Sequence, residues 1–198
     1  DVSSGVKILE VPTGTVDRSM GDVHPFGNPH FWLSSDNAVL MAQGIAAKFA
    51  QVDPAGSAAY KAGAAAFAQR VAAAKVRWLA QAKQIGLTGA NIVTYHNSWP
   101  YFAREFGCTV VAYVEPRPGI PPSVSHTADL ITQMKAKHVR VLLVEPYFDQ
   151  KLPQKIGTSA GVPVVMLPPS VDGSAGMKSY TDLVDRQLAL IAKAMGGK

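Results

Sequence analysis

The sequence is poor in cysteine. Cys108 is the only one among 198 residues, so a disulfide within the chain and a metal site built from several cysteine thiolates are both excluded. Because Cys108 follows Gly107 and opens an apolar run, we expect a buried, unreactive thiol at this position. A single cysteine does not indicate the redox compartment in which the protein works.

Long apolar runs and concentrated charge are also missing. The longest apolar stretch falls far short of the roughly 20 residues that a membrane-spanning helix needs, so we expect no such helix. The formal net charge is +5, but the 19 lysines and arginines are spread singly along the chain. Nucleic-acid-binding proteins gather basic residues into a patch or stripe, so we expect no nucleic-acid partner.

The chain does not begin with methionine, and we expect no signal peptide within it. It opens at Asp1, and the apolar run over residues 6–11 predicts a β-strand close to this start. Such a start is typical of a processed or cut chain, and we expect a first lobe that is incomplete here. The apolar faces of residues 6–11 and 37–51 would then lack partners. We therefore expect either self-association through residues 1–52 or a missing polypeptide.

The strongest structural signal is a long helix that starts at Asp53 and Pro54, a capping residue followed by a first-turn proline. From there to Gly86, apolar residues recur every three or four positions, which places them on one helical face. These residues are Tyr60, Ala64, Phe67, Val71, Ala74, Trp78, Ala82 and Ile85. At about 1.5 Å per residue the helix would be roughly 48 Å long, so we predict a strut that joins two lobes. A helix over residues 37–51, capped by Ser35 or Asp36, precedes it.

After Gly86, short apolar runs alternate with helical stretches. The predicted strands cover residues 91–95, 109–114, 139–144 and 163–167, and the predicted helices cover residues 99–106, 124–137, 153–160 and 179–195. This alternation predicts an α/β fold with a parallel sheet and helices on both faces. The predicted organisation is the remainder of an N-terminal lobe over residues 1–52, a linking helix over 53–86 and a C-terminal α/β lobe over 87–198.

Three of the predicted strands end in a side chain that can bind a metal ion, namely His96, Glu115 and Glu145. Ligands of open parallel sheets bind beyond the carboxyl ends of the strands, and imidazole with carboxylate suits zinc or manganese. His30 lies on the other side of the long helix, so it could meet His96 only in a cleft between lobes. A lone histidine at a strand end is nevertheless more often an ordinary polar residue than a ligand.

The other candidate motifs carry less chemistry. His24 lies six residues before His30, and we expect it to support the site or the loop. His126 and His138 are expected at the surface. Residues 157–161 read Gly-Thr-Ser-Ala-Gly and match the nucleophile-elbow pattern, but a helix precedes them and a strand follows. Since an elbow needs the reverse order, this motif is interpreted as a helix terminus.

Several segments, in this order, resemble the metal-specific solute-binding proteins of bacterial ABC importers, the zinc and manganese receptors. The segments are Gly-Asp-Val-His-Pro at 21–25, Asn-Pro-His-Phe-Trp-Leu at 28–33, Tyr-His-Asn-Ser-Trp-Pro-Tyr-Phe at 95–102, Glu-Pro-Arg-Pro-Gly-Ile-Pro-Pro-Ser at 115–123 and Val-Glu-Pro at 144–146. The match runs from about residue 6 to the C-terminus. The resemblance implies two α/β lobes joined by a rigid helix, with the metal ion held between them.

The family's metal ligands carry over to His30 and His96. The resemblance also implies a further histidine from early in the first lobe, outside this chain, and an acidic ligand after the last strand. Prolines occupy the region after the last strand, where this acid is expected, and Asp172 is displaced. Glu145 and Glu115 are the alternative donors, and water in the position of the acid is a third alternative. The long His-rich loop of the family is missing. With one histidine outside the chain, we expect a site that is weakened or empty here.

The resemblance implies an extracytoplasmic receptor, periplasmic or anchored as a cell-surface lipoprotein, that delivers a divalent ion to an ABC permease and is not an enzyme. Zinc is favoured because two neutral imidazoles suit it and a tetrahedral site needs only four donors. Manganese is the alternative and is less favoured, since it prefers more oxygen donors. Two other classes stay open. One is a metal-dependent hydrolase with the same histidines and Glu145 as the base, and the other is a receptor for a siderophore or small organic ligand.

Overall fold

The structure is a computed structural model that describes residues 1–14, 16–17, 21, 24–171 and 176–196. The described part of the first 30 residues is irregular chain, followed by a 3-10 turn, Phe31–Leu33. The predicted strand over residues 6–11 is wrong. Glu10 has a φ of 55°, which bends the chain out of the extended conformation. The backbone of Leu9 bonds to the Tyr101 hydroxyl and to the amide of Asn28 rather than to a neighbouring strand.

Helix α1, Ser35–Val52, starts two residues before the predicted first residue, 37. Ser34 is the N-cap, and its side chain makes no capping hydrogen bond. The Ser35 hydroxyl bonds instead to the carboxylate of Glu105, which also accepts the Ser35 amide. Asp36 lies in the first turn, where a negative charge is favourable. The Glu105 side chain, which is distant in sequence, therefore accepts hydrogen bonds from the first residue of α1.

Helix α2, Ser57–Gln84, follows a 3-10 turn, Pro54–Gly56, that is capped by the Asp53 side chain. The helix is continuous, as the spacing of apolar residues predicts. It contacts α1 and the last helix of the chain, α6, Tyr180–Ala194. Its apolar face is fully buried only in the second half, at Val71, Ala74, Trp78 and Ala82. None of the described helices is long and apolar enough to cross a membrane.

A four-stranded parallel sheet forms the rest of the fold, in the order β2-β1-β3-β4. Its strands are β1, Asn91–Thr94, β2, Thr109–Tyr113, β3, Val141–Val144, and β4, Val164–Met166. The remaining helices are α3, Pro100–Phe106, α4, Val124–Ala136, and α5, Lys151–Ala160. The prediction of alternating strands and helices is confirmed, with bounds within two residues.

Helices cover both faces of the sheet, as predicted. Successive side chains of a strand point to opposite faces, so the sheet contributes to two apolar clusters. One cluster joins Ile92 and Leu143 to side chains of α2, α3 and α6. The other joins Val93 and Leu142 to side chains of α4 and α5. Strand β3 is buried along its whole length, which explains its uninterrupted apolar sequence.

Two smaller predictions concern Cys108 and the Gly-Thr-Ser-Ala-Gly motif. Cys108 is buried, and burial raises the pKa of its thiol to about 12. The thiol therefore stays protonated and unreactive at neutral pH. The Gly-rich motif forms the end of α5, and Gly161 follows in the left-handed conformation that terminates helices. Both interpretations from the sequence are confirmed.

Candidate metal centre

The carboxyl ends of β1, β2 and β3 bring three site candidates to one edge of the sheet. The backbone ladder continues past the strands, because Tyr95 donates to the Leu143 carbonyl and Glu115 donates to the Tyr95 carbonyl. The Thr94 hydroxyl then bonds to the His96 carbonyl, two residues on. His96 thus follows the central strands, with Glu115 next to it.

His30 comes to the same place from the irregular first segment. It directly precedes the 3-10 turn Phe31–Leu33, and its amide donates to Oδ1 of Asn28 at 3.0 Å. The ring centroids of His30 and His96 are 5.6 Å apart, and the rings meet edge to face at 72°. Residues 66 positions apart in sequence therefore present adjacent imidazoles, as predicted.

The hydrogen bonds of Asn28 fix the tautomer of His30. The Asn28 amide nitrogen donates to Oε2 of Glu10 and to the Asn97 carbonyl, each at 2.9 Å. Its oxygen Oδ1 is then the acceptor that faces Nδ1 of His30 at 2.9 Å. Nδ1 must carry the proton, and Nε2 of His30 keeps a lone pair.

Glu115 places a proton on Nδ1 of His96 in a similar way. Its Oε2 lies 2.7 Å from Nδ1 of His96, and it also accepts the Gly119 amide. A carboxylate can only accept, so Nδ1 carries a proton, and in the neutral ring Nε2 of His96 is the lone-pair donor. Within the described residues, no hydrogen bond involves Nε2 of either ring. Glu115, considered as a donor from the sequence, orients His96, which is a common arrangement behind metal-binding histidines.

The electrostatics of the site favour neutral imidazole at His30. Burial, together with the nearby rings of His96 and His24, lowers the pKa of His30 from 6.5 to about 4. A histidine binds a metal ion only in its neutral form. At neutral pH the His30 ring therefore does not have to lose a proton before it binds a metal ion.

The same shift predicts how the metal-free protein responds to acid. Between pH 6.5 and about 4, the unfolded chain protonates His30 while the folded protein keeps it neutral. The free energy of unfolding should therefore fall as pH is lowered through this window. Urea unfolding at several pH values, with His30→Gln beside the parent, measures the effect. We expect the free energy of unfolding to depend less steeply on pH in the variant than in the parent. Equal slopes would contradict the lowered pKa of His30.

Glu145 lies deeper than the two histidines. Its side chain is fully buried, and Oε1 accepts a hydrogen bond from Nε1 of Trp99 at 3.1 Å. Burial raises the pKa of Glu145, against the lowering effects of the Ser98 hydroxyl, His96 and Trp99. The Ser98 hydroxyl is near, yet neither its Oγ nor Oε2 of Glu145 has a well-oriented hydrogen bond within the described chain.

The described residues contain no group of three or more His, Cys, Asp or Glu side chains arranged to share one metal ion. The structure thus pairs His30 with His96 but does not group Glu145 with them, and its role as a ligand stays a prediction. Asp172 lies outside the described residues. His138 is exposed, as expected, whereas His126 is half-buried and its Nε2 faces the Tyr113 carbonyl.

A cavity of about 340 Å³ opens at the histidine pair. It is lined by Glu10, His24, Gly27, Asn28, His30, His96, Asn97 and Pro118. A second cavity of about 370 Å³ lies beside α1 and α2 but contains no histidine, and there Lys75 pairs with Asp36 at 2.6 Å. A third cavity, of about 370 Å³, contains His126 with Glu115 and Asp129. Only the first of these three cavities contains two adjacent imidazoles, so it is the candidate metal centre.

Sequence reasoning missed the polar residues that hold the histidines. Asn28 belongs to the Asn-Pro-His segment, and its position two residues before His30 is a usable signal, since Asn side chains commonly bond to the backbone two residues on. Glu10 was hidden in the predicted strand. Two aromatic rings also flank the pair: Trp32 lies 5.4 Å from His30, and Phe148 lies 6.1 Å from His96.

The family model for zinc-uptake complex component A, periplasmic, named ZnuA, matches residues 1–194. The chain belongs to the ZnuA family. The resemblance seen in the sequence motifs is thereby confirmed, as is the α/β fold with its long helix. The family consists of binding components of importers, which agrees with the expectation that the chain is not an enzyme. Nothing in these comparisons supports the hydrolase alternative.

Individual relatives extend this picture. The iron-binding protein YfeA of Yersinia pestis is 26% identical over 203 residues, covering 96% of this chain and 64% of YfeA. The protein FpvC of Pseudomonas aeruginosa in complex with Ni²⁺ superposes with a TM-score of 0.77 at 29% identity, covering 98% of this chain and 67% of FpvC. FpvC with Mn²⁺ gives a TM-score of 0.71 at 32% identity, covering 85% of this chain and 63% of FpvC. The ZnuA-family chain thus spans about two thirds of these relatives.

Proposed function

We propose that this chain is the metal-binding part of an extracytoplasmic receptor of an ABC importer and that it binds one divalent transition-metal ion through Nε2 of His30 and His96. One observation carries the proposal. The two rings are adjacent, and each Nδ1 is bonded to a fixed acceptor, which leaves both Nε2 atoms as donors. Nitrogen donors of this kind suit zinc and its neighbours among the transition metals.

Zinc is the proposed cargo. The family description names zinc uptake, and two neutral imidazoles are half of a tetrahedral zinc site. The names of the relatives also include iron, nickel and manganese, so manganese remains the alternative. A carboxylate ligand such as Glu145 would favour manganese, because that ion prefers oxygen donors.

The remaining parts of the proposal concern the whole protein. Its partner is an ABC permease, and its location is the periplasm or the cell surface, where a lipid anchor would hold it. We also propose that residues 1–52 belong to an N-terminal lobe, that residues 53–86 link two lobes and that residues 87–198 form the C-terminal lobe. The continuous helix α2, in contact with both α1 and α6, supports this division.

Calorimetric titration tests the proposed function. Zinc added to the metal-free chain should bind with a stoichiometry of one, and manganese should bind more weakly. The zinc-loaded chain should show no turnover of ester, phosphate or peptide substrates, whereas a hydrolase would. If a siderophore stabilises the chain and bare ions do not, the proposed function is wrong.

Exposed apolar side chains on α1 lead us to propose self-association through residues 1–52. Phe49 and Val52 on α1 are 53% and 73% exposed. Light scattering after gel filtration should show a dimer that Val52→Lys weakens. The matched control is Val124→Lys, at a position on α4 that is 90% exposed. A monomeric parent would contradict this proposal.

A further inference from the structure

One carboxylate links the two loops that carry the histidines. Oε2 of Glu10 accepts a hydrogen bond from the side-chain amide of Asn28 at 2.9 Å and another from the side-chain amide of Asn97 at 2.8 Å. Asn28 also donates to the Asn97 carbonyl at 2.9 Å. These three bonds close a ring between the loop before α1 and the loop after β1.

Both asparagines in this ring lie next to the histidine pair, one through hydrogen bonds and the other through the chain. Asn28 accepts both the backbone amide and Nδ1 of His30. Asn97 follows His96 in the chain, and its side chain lines the same cavity. Glu10 therefore bonds to the asparagine that contacts His30 and to the asparagine that follows His96 in the chain.

The backbone at Glu10 indicates that this placement is maintained at a cost. Its φ of 55° lies in the left-handed region, which side chains with a Cβ rarely adopt, and His138 is the only other described non-glycine residue with a positive φ. Glu10 is exposed, so packing of its side chain does not explain the conformation. Strained positions of this kind cluster at functional sites, and Glu10 lines the cavity that holds His24, His30 and His96.

We propose that Glu10 is a positioning residue of the metal site: it joins Asn28 to Asn97 and so holds His30 and His96 at the separation that one ion requires. Its negative charge also faces the cavity that a divalent cation must enter, which favours cation binding over anion binding. This inference rests on the proposed function, because it assumes that the histidine pair binds the ion.

Glycine at this position separates positioning from stability. Glu10→Gly removes the carboxylate but suits the left-handed backbone, so the thermal midpoint of the metal-free protein should stay near that of the parent. Zinc affinity, measured by calorimetry, should fall by about 10- to 100-fold, the usual loss when an outer partner of a metal ligand is removed. Glu10→Gln keeps an oxygen that can accept from both asparagines, so it should restore most of the affinity. Asp129→Asn, an exposed carboxylate on α4, is the control and should bind zinc as the parent does.

The outcomes distinguish this inference from the function on which it rests. If Glu10→Gly binds zinc as tightly as the parent while His96→Ala does not, the role of Glu10 is wrong and the metal site stands. An affinity loss that merely follows a loss of thermal stability also overturns the role of Glu10. Should Glu10→Gly fail to fold, Asn97→Ala must weaken zinc binding on its own, or the inference falls. A parent chain that binds no zinc or manganese overturns both proposals.

Discussion

Replacing His96 by alanine is expected to lower the zinc affinity of this chain by more than about 100-fold, because loss of a direct ligand should exceed the 10- to 100-fold loss caused by removing an outer partner. His96 follows strand β1 at the carboxyl edge of the sheet. Glu115 bonds to its Nδ1, so Nε2 is the nitrogen that remains available for a metal ion. Loss of this donor would leave His30 as the only imidazole of the proposed pair. Calorimetric zinc titration at neutral pH measures the effect.

Two other histidines provide matched controls for this substitution. His126 lies on α4 with its Nε2 facing the Tyr113 carbonyl, and His138 is exposed. His126→Ala and His138→Ala should leave zinc affinity near that of the parent. If His96→Ala binds zinc as tightly as these controls, the assignment of His96 as a ligand is wrong.

The largest expected loss of stability follows from Trp78→Ala in α2. Trp78 is fully buried between the long helix and the sheet, and its Nε1 donates to Asp185 on α6 at 2.6 Å. Truncating a buried aromatic side chain costs about 3–5 kcal/mol through lost burial and the cavity left behind. The free energy of unfolding, measured in urea, should fall by that amount.

Val76→Ala is the matched control on the same helix, two residues before Trp78. Val76 is 72% exposed, and surface substitutions usually change stability by less than about 0.5 kcal/mol. Alanine also has the higher helix propensity. Equal losses of unfolding free energy in both variants would show that α2 does not pack against the core through its buried face.

The long helix and the sheet were predictable because their signals are repeated along the chain. Every third or fourth position of α2 adds to one periodic pattern, and Val71 and Trp78 confirm the predicted face. The four residues of β3 are all buried and all apolar, so this strand can be predicted from its own residues alone. The histidine pair was predictable from the motif resemblance, which supplies information that spacing alone lacks.

The irregular first segment was not predictable from pattern. Residues 6–11 have the apolar character of a strand, but a strand also needs a neighbouring backbone, and Leu9 finds Tyr101 and Asn28 instead. The left-handed turn at Glu10 has no signal in a glutamate, since glycine or asparagine is the usual residue there. Glu145 follows its strand as predicted, but in the interior it bonds to the indole of Trp99. A periodic pattern in the sequence does not predict such a contact.

The most direct test of the central claim is imidazole nitrogen NMR of the ¹⁵N-labelled chain before and after zinc is added. In the metal-free protein, His30 should show a protonated Nδ1 and an unprotonated Nε2, and Nδ1 of His96 should carry a proton. One equivalent of zinc should shift the Nε2 resonances of these two rings together and leave those of His126 and His138 unchanged. If zinc shifts neither ring, or only one of the two, the claim that His30 and His96 share a metal ion is contradicted.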